Sequence, residues 1–362
     1  MSAPPAPPAP AVLVSNGAVC PHAPASAASF LESTPGAYTT ARGLLWWPRH
    51  LRRLADSARR LARSHPHLLG LPRPRALDLS DARVRSLVDP SARVAVREMR
   101  RRRRPPATED LALTALVRGG HGDGLDVFVH AAPYAPPVFG EVGARVAVAG
   151  GGRDAAAAKY ASWARMRKSM EKMRPPGVTE LLLTNDGDHI LEGTVTNFFV
   201  VCRKEEHQRN GVFSNETLAT MFELQTAPLI DGILPGIIRQ IVIEICHDIG
   251  IPVREVSPSW SKHELWQEAF VTSSLRLIQY VESVHAPSSW EDIQSNTWSD
   301  VSWEVKQFEG AGHITTLIQD KAVLPHILVP GSARGGYFGY HIPLQHCGHD
   351  DDQSSHSDEC LN

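Results

Sequence analysis

The sequence predicts a two-domain α+β protein. Its 362 residues exceed the roughly 100–200 residues of an ordinary single domain, which favours two domains. Short apolar runs typical of strands recur along the chain, together with segments whose apolar residues have the three- and four-residue spacing of helices. The glycines at Gly150-Gly151-Gly152 follow a strand-like run, and we interpret them as the hinge between the domains.

These signals divide the chain into four parts. Residues 1–10 form a Pro/Ala tail that we expect to be disordered. A smaller N-terminal domain is predicted for residues 11–149 and a larger C-terminal domain for residues 150–322. Residues 323–362 are turn-rich and then acidic, which predicts a low-complexity, disordered tail.

The composition is typical of a globular protein: 42% hydrophobic and 21% charged residues, with a net charge of −2. This charge gives no bias toward nucleic acid or membranes, and no apolar run approaches the ~18–20 residues of a membrane span. The scattered cysteines form no CxxC pair, which indicates a reducing compartment. No charged residue precedes Glu32, so targeting signals are missing and we expect a cytoplasmic protein.

The first domain opens with a strand at Ala11–Val14, a turn at Asn16-Gly17 and a second strand at Ala18–Val19. A helix follows, beginning near Pro48, with arginines on its outer face. Its apolar stripe consists of Leu51, Leu54, Ala58 and Leu61.

Further strands are predicted at Ala92–Glu98, Leu111–Val117 and Leu125–Val129. Between the first two lie the consecutive arginines Arg100–Arg104, which end at Pro105. A phosphate-binding arm is one interpretation, but no aromatic residue is interleaved to stack bases. We therefore favour a solvated hairpin tip.

A strand at Val146–Ala149, the glycines after it and then Arg153-Asp154-Ala155 imitate a dinucleotide-binding fingerprint. That fingerprint requires a second strand that ends in an acidic residue ~20 positions later. Here Ser162–Lys172 continues as a polar helix, so a nicotinamide site is not favoured. Within this helix Lys168 and Lys172 lie among Arg165 and Arg167, as on a solvated face.

The most informative stretch is residues 180–201, where apolar runs at Leu181–Leu183 and Phe198–Val201 flank a turn at residues 185–187. Glu192 lies between the runs and is followed by Gly193. A surface glutamate in a hairpin is the plain interpretation. The alternative is a placed carboxylate, because an unpartnered buried charge costs several kcal/mol, roughly.

Three motifs, in the same order as in a known family, favour the placed carboxylate at Glu192. Lys159 after an alanine run, then LEGTVTNFF at residues 191–199, then GILPGI at residues 232–237 resemble the class IV aminotransferases, pyridoxal-phosphate enzymes of fold type IV. The group includes branched-chain aminotransferases, D-amino acid aminotransferases and aminodeoxychorismate lyases. The resemblance covers roughly residues 30 to 320 and implies a D-amino acid aminotransferase-like fold.

The resemblance assigns the reactive groups. Lys159 is expected to hold pyridoxal 5'-phosphate as a Schiff base and to act as the general base. The small apolar residues Ala155–Ala158 before it favour the neutral amine. Glu192 is expected to face the pyridine nitrogen, and Gly193 and Asn197 match the same motif.

Three sets of donors are expected to bind the phosphate. Arg53 matches the arginine of the family's R-H-x-x-R-L helix, although it is one of many arginines there. A predicted amphipathic helix after Pro235 offers the free amides of Gly236, Ile237 and Ile238, where an anion is favoured, although the stripe alone is typical of a core helix. Ser274 in FVTSSLRL matches a family phosphate donor, but three adjacent hydroxyls are also typical of a plain turn.

The sequence also departs from the family. Ile238 stands where many members have threonine, and Trp163 lies in the region behind Lys159 where many branched-chain enzymes have a tyrosine. The strand at Tyr38–Arg42 lacks the usual acidic residue, so the substrate side chain is not specified.

The predicted function is amino-group transfer between a branched-chain or D-amino acid-like amino acid and a 2-oxo acid, in a homodimer. The alternatives are a lyase of the aminodeoxychorismate type that releases pyruvate, and a catalytically silent protein that kept the fold. Histidines and cysteines in the tail match no zinc spacing, so no metal is predicted: His341, His346, Cys347, His349, His356 and Cys360.

Overall fold

The structure of the protein is a computed structural model that describes residues 11–102, 110–122, 124–204, 221–291 and 297–327. Its strands form two sheets, one of five strands and one of nine. Among the described helices none is both long and apolar enough to cross a membrane. Within the same residues no group of histidine, cysteine, aspartate or glutamate could hold a metal ion, and the tail residues from His341 to Cys360 lie outside them.

The first sheet is antiparallel, with the order β2-β1-β5-β4-β3. Its strands are β1 (Val12–Ser15), β2 (Ala18–Val19), β3 (Ala37–Arg42), β4 (Asp110–Gly119) and β5 (Leu125–Tyr134). The predicted strand, turn and strand at the start of the chain are confirmed, with Asn16 and Gly17 at positive φ in the turn.

Helices cover both faces of this sheet: α1 (Ala27–Ser33), α2 (Trp47–Ser64) and α3 (Asp81–Arg102). A 3-10 turn at Pro66–Leu69 follows α2. The predicted stripe of α2 is confirmed, because Leu51, Leu54, Ala58 and Leu61 are buried in one core with α3 and the sheet. Helix α1 packs on the opposite face through Phe30.

The predicted strand at Ala92–Glu98 is wrong, because these residues lie inside α3. The β-branched residues Val94 and Val96 at alternate positions imitate a strand, but the buried positions have helical spacing. They are Val84, Val88, Ser91, Ala92, Ala95 and Met99. The predicted hairpin tip is also wrong for Arg100–Arg102, which form the last turn of α3, while Arg103 and Arg104 lie outside the described residues.

The second sheet has the order β11-β10-β9-β12-β13-β6-β7-β8, and β14 pairs with β13. Strand β8 also pairs with β9 through Glu192 and Asn197, so six strands close into a ring. The strands are β6 (Ala144–Val148), β7 (Glu180–Thr184), β8 (Ile190–Gly193), β9 (Asn197–Arg203), β10 (Phe222–Thr226), β11 (Val253–Glu255), β12 (Trp266–Ser273), β13 (Leu277–Pro287) and β14 (Trp303–Gln307).

The partner of β7 across the turn at residues 185–187 is β8, which carries Glu192. The run Phe198–Val201, predicted to flank this turn, belongs instead to β9. Strand β6 pairs with β7 and β13, so the chain changes sheets between Tyr134 and Ala144, upstream of the expected boundary at residue 150.

The helices of this half are α4 (Trp163–Met166), α5 (Ile237–Asp248) and α6 (His313–Ile327). Further 3-10 turns lie at Arg167–Met173, Leu229–Asp231, Trp260–Leu265 and Trp298–Asp300. The predicted helix after Gly236 is confirmed, and its apolar side packs with α6 on Phe199 and Phe270. Helix α6 continues through residues 323–327, which were expected to belong to the disordered tail.

Two connections join the halves. The segment after β6 returns to the first sheet, where the Lys159 carbonyl accepts a hydrogen bond from the Tyr38 amide. On the other side, the Arg49 guanidinium of α2 donates two hydrogen bonds, of 2.8 and 2.9 Å, to the Glu244 carboxylate of α5. The structure thus holds the two helices that carry the predicted anion-binding residues next to each other.

Candidate active site

A cavity of about 370 Å³ is lined by residues of both sheets. Every residue that the sequence predicts for the cofactor site lines it: Arg53, Lys159, Glu192, Asn197, Gly236, Ile237, Ile238 and Ser274. A concave space with a few converging polar groups is the usual form of a small-molecule site. The cavity is therefore the candidate active site.

Lys159 is fixed by its backbone. Its amide donates to the Ser57 hydroxyl of α2 at 3.0 Å, and its carbonyl accepts from the Tyr38 amide at 2.9 Å. Ala155, at the start of the preceding turn, has a φ of 51°, which costs energy for a residue with a Cβ. The side chain is half-buried and lines the cavity, so the chain geometry presents its amine to a ligand.

The surroundings of the Lys159 amine are aromatic and cationic, in contrast to the expected alanine environment. Nζ lies 4.8 Å from the centroid of the Tyr38 ring. Burial lowers the pKa of Lys159, and the charges of Arg53 and Arg153 lower it further against the opposing effect of Tyr38. The expected shift toward the neutral amine is present, but burial and neighbouring cations cause it.

Tyr38 responds to the same charges. Burial acts to raise the pKa of its phenol, but Lys159 and then Arg167 outweigh burial, so that the pKa is lowered. The hydroxyl of Tyr38 is thus a polarised group directly beside Lys159. The sequence did not indicate this, because strand β3 is remote from Lys159 in the chain.

Glu192 is buried and paired with Arg153, and the exposed fractions of the two side chains are 4% and 5%. Arg153 Nε and Nη2 both lie 2.9 Å from Glu192 Oε1. Burial raises the pKa of Glu192 and Arg153 opposes that shift. The placed carboxylate favoured by resemblance is therefore what the structure contains, with a partner that the sequence did not reveal.

The second oxygen of Glu192 shapes the neighbouring loop. Oε2 accepts a hydrogen bond from the Leu234 amide at 3.0 Å, and Asn197 Nδ2 donates to the Leu234 carbonyl at 3.0 Å. The backbone at Gly236 lies so close to Asn197 that an added Cβ would collide with its side-chain oxygen. Asn197 and Gly236 thus set the position of the loop that leads into α5.

Arg53 heads a chain of buried polar groups. Its Nη2 donates to Thr39 Oγ1 at 2.8 Å, and Thr39 Oγ1 lies 2.8 Å from His50 Nδ1. Since the Thr39 oxygen accepts from Arg53, its proton is free to go to Nδ1, which then acts as an acceptor in a neutral imidazole. Burial lowers the pKa of His50 well below its usual range and that of Arg53 to about 10. Arg53 remains a cation at neutral pH.

Donors gather at this end of the cavity. Helix α5 begins at Ile237, and its first intrahelical hydrogen bond runs from the Gln240 amide to the Gly236 carbonyl. The amides of Ile237 and Ile238 precede this bond and are therefore available to a ligand. Among the described residues Arg53 Nε and Thr272 Oγ1 are buried without hydrogen-bond partners. Buried orphan donors of this kind are rare, and an anion here would satisfy both.

Close packing around Gly193 explains why the motif has a glycine at this position. A Cβ on Gly193 would collide with Thr196 Oγ1 and come within 2.6 Å of Glu180 Oε1. The buried Glu180 accepts from the Val195 amide and the Thr196 hydroxyl, and its other oxygen accepts from Arg276 Nη1 at 3.0 Å. Arg276 also lines the cavity, beside Tyr134.

Sequence reasoning missed several lining residues: Tyr38, Tyr134, Arg153, Arg167, Thr272 and Arg276. Arg153 was considered only as part of a dinucleotide fingerprint. Arg167 was interpreted as part of a solvated helix face, which is wrong because its side chain lines the cavity. A signal for Arg153 existed, since a buried Glu192 requires a cation and Arg153 is the arginine nearest the glycine run.

The residues present fit the predicted cofactor. Pyridoxal 5'-phosphate offers an aldehyde for an amine, a phosphate for a donor cluster and a ring nitrogen for a carboxylate. The cavity supplies Lys159, the orphan donors Arg53 Nε and Thr272 Oγ1, and Glu192, respectively. Ile238 has no hydroxyl to offer the phosphate, but the Thr272 hydroxyl lines the same cavity without a hydrogen-bond partner.

Comparison with known proteins agrees with this geometry. The family model described as amino-transferase class IV matches residues 36–284. A provisionally named branched-chain-amino-acid aminotransferase of Methanocaldococcus jannaschii is 30% identical over 181 residues. This alignment covers 46% of the chain and 56% of that protein, so the chain spans just over half the length of this relative.

Solved structures share the fold. A hypothetical aminotransferase from Mycobacterium tuberculosis, known in apo and PLP-bound forms, has in its apo form a TM-score of 0.55 at 17% identity, covering 87% of this chain and 99% of that one. A provisionally named 4-amino-4-deoxychorismate lyase from Legionella pneumophila has a TM-score of 0.52 at 18% identity, with coverages of 84% and 96%. These likenesses confirm the predicted α+β fold of type IV.

Proposed function

The chain belongs to the class IV aminotransferase family, and from this premise we propose that it transfers an amino group between an amino acid and a 2-oxo acid. The predicted cofactor, pyridoxal 5'-phosphate, is confirmed because the family depends on it. The observation that carries the proposal is the convergence of Lys159, Glu192 and Arg53 on one cavity.

Each group has a role in holding the cofactor. Lys159 is the amine that would attach it, and Arg53, the amides of Ile237 and Ile238, and the hydroxyls of Ser274 and Thr272 would receive its phosphate. Glu192 would accept a hydrogen bond from the ring nitrogen. When bound, the cofactor supplies an electron sink that stabilises negative charge at the substrate α-carbon.

The protein supplies the proton transfer. Lys159 Nζ is the group that would remove the proton at the substrate α-carbon and deliver it to the aldehyde carbon of the cofactor. Its lowered pKa increases the fraction of unprotonated amine at neutral pH, which a general base requires. Burial raises the pKa of Glu192 and Arg153 opposes that shift, so Arg153 favours the charged carboxylate that a protonated ring nitrogen needs opposite it.

We also propose that two copies of the chain associate. Leu229 and Ile230 project from a turn directly before the loop that leads into α5, and the exposed fraction of Ile230 is 92%. Exposed apolar side chains of this kind usually mark a contact surface when they cluster. Light scattering after size exclusion checks this, and a monomer at micromolar concentration would contradict it.

The test of function is the visible absorption of the purified full chain loaded with pyridoxal 5'-phosphate, before and after addition of L- and D-amino acids. We expect Lys159→Ala to lose borohydride-stable attachment of the cofactor, whereas Lys168→Ala keeps it, because Lys168 is exposed and pairs with Glu32. A 2-oxo acid acceptor should then be required for turnover. Pyruvate release without an acceptor would instead support the lyase, and a protein that never takes up the cofactor would overturn both.

A further inference from the structure

The cavity has an excess of positive charge. Among the described residues it is lined by the cations Arg53, Arg153, Lys159, Arg167 and Arg276 and by a single carboxylate, Glu192. A cationic cavity favours an anionic ligand in addition to the phosphate.

Most of these cations already have a partner or an assigned task. Arg153 pairs with Glu192, and Arg276 pairs with Glu180 at 3.0 Å. Arg53 belongs to the anion-binding end with α5, and Lys159 is the amine that attaches the cofactor. Arg167 is therefore the remaining charge whose function needs an explanation.

Within the part of the chain that the structure describes, the Arg167 guanidinium makes no hydrogen bond or ion pair, whereas the Arg167 backbone amide donates to the Arg165 and Trp163 carbonyls. Arg167 is the first residue of the 3-10 turn Arg167–Met173, directly after α4, and its side chain is half-buried. The next residue, Lys168, differs from Arg167 because its side chain is exposed and pairs with Glu32 at 2.7 Å. A guanidinium that lines a cavity and has no hydrogen-bond acceptor can donate its N–H groups to a ligand.

The position of Arg167 relative to Tyr38 and Lys159 indicates which part of a ligand it meets. Arg167, Tyr38 and Lys159 line the same cavity, and the Tyr38 ring lies 4.8 Å from Lys159 Nζ. The charge of Arg167 helps to lower the pKa of the Tyr38 phenol, so both donors face the space beside the reactive amine. A substrate whose α-carbon is at Lys159 places its α-carboxylate one bond away from that carbon.

We propose that Arg167, together with the Tyr38 hydroxyl, binds the α-carboxylate of the substrate. This inference rests on the proposed function. The planar fork of a guanidinium matches a carboxylate in two parallel hydrogen bonds, which fixes the orientation of the α-carbon as well as its charge. Arg167 therefore makes the site select α-amino acids over amines that lack the carboxylate.

The test measures binding of an unreactive carboxylate, so that it does not depend on turnover. The full chain loaded with pyridoxal 5'-phosphate is titrated with 4-methylpentanoate by calorimetry, and with 3-methylbutan-1-amine by the change in visible absorption. The variants are Arg167→Ala, Arg167→Lys and the matched control Arg165→Ala, which removes an exposed arginine of the same segment that lies outside this cavity.

We expect Arg167→Ala to weaken carboxylate binding about 10- to 100-fold, the usual effect of removing a charged hydrogen-bond partner. The response to the amine and the uptake of the cofactor should not change, and Arg167→Lys should restore part of the affinity. Arg165→Ala should behave as the wild type. Equal carboxylate affinity in wild type and Arg167→Ala, or no binding to either, overturns the inference.

The proposed function fails in a different way. A protein that takes up the cofactor and binds the carboxylate through Arg167, but never transfers an amino group, would leave the inference standing and refute amino-group transfer. Thermal unfolding of each variant shows whether a loss of binding reflects a loss of the fold.

Discussion

Arg153 and Glu192 form a buried ion pair in which both Nε and Nη2 of the arginine lie 2.9 Å from one carboxylate oxygen. The two residues are far apart in the chain, and the Arg153 guanidinium also lies 5.3 Å from the Trp163 ring centroid and donates to the Ala156 carbonyl. The pair therefore ties the segment before Lys159 to strand β8. It also compensates the charge of a carboxylate that the cavity would otherwise leave unpaired.

Replacing Arg153 by methionine should destabilise the protein by about 3–5 kcal/mol, because an uncompensated carboxylate would remain buried. The pKa of Glu192 should rise further, since Arg153 is the first group that opposes the effect of burial. The measurement is the free energy of unfolding from denaturant titration, in the absence of added cofactor.

The double variant Arg153→Met/Glu192→Gln is the control for this pair. Removing both charges should recover part of the lost stability, since the unpaired carboxylate is then absent. A double variant that is as unstable as the sum of the two single variants would show that the two side chains act independently.

Thr39→Val should weaken anion binding at Arg53. The valine has nearly the shape of threonine, but it leaves Arg53 Nη2 and His50 Nδ1 without the hydroxyl that joins them. We expect a loss of about 1–3 kcal/mol of stability and weaker binding of pyridoxal 5'-phosphate. Equilibrium titration with the cofactor checks the second effect. Thr226→Val is a control, because the buried Thr226 hydroxyl donates to the Phe198 carbonyl and Thr226 does not line this cavity.

Gly236→Ala should disturb the entrance to α5, because its Cβ would collide with the Asn197 side-chain oxygen. To make room, Asn197 would have to leave the Leu234 carbonyl. We expect at least tenfold weaker cofactor binding, since the amides of Ile237 and Ile238 follow directly. Gly151→Ala is the matched control, because nothing lies within 4 Å of its added Cβ and its φ is not positive. Equal effects of both variants would contradict the argument.

The elements that the sequence predicts well are those whose signal is local. The stripe of α2 and the helix after Gly236 each repeat apolar residues at helical spacing, and both are present. The prediction for Ala92–Glu98 was wrong because two β-branched residues at alternate positions fit a strand as well as part of a helix. The longer pattern from Val84 to Met99 distinguishes the two, because its buried residues recur at helical spacing.

The candidate site was predictable where a motif carries the residue and unpredictable where only the tertiary structure brings it there. Glu192 and Lys159 stand in motifs, and the cavity contains both. Tyr38 and Arg276 reach the cavity from strand β3 and from the turn after β12, and nothing in their local sequence indicates this. Their roles depend on pairing across sheets, which a single sequence does not specify.

The buried imidazole of His50 should make stability depend on pH. Burial and then the Arg53 charge lower its pKa in the folded protein, while the unfolded chain has the ordinary value of about 6.5. Between these two values the unfolded state binds more protons, so stability rises with pH and is lost as pH falls below about 6.5. One such proton gives a limiting slope of about 1.4 kcal/mol per pH unit.

His50→Asn isolates this contribution, because an asparagine side chain can keep the bond to Thr39 without titrating in this range. His130 and His285 also have lowered pKa values through burial, but both remain in the variant, so they cancel in the difference. We expect the free energy of unfolding of wild type minus that of His50→Asn to fall as pH decreases from 7 to 5. A difference that is constant over this range would show that His50 is protonated equally in the folded and unfolded states, which its position beside Arg53 makes unfavourable.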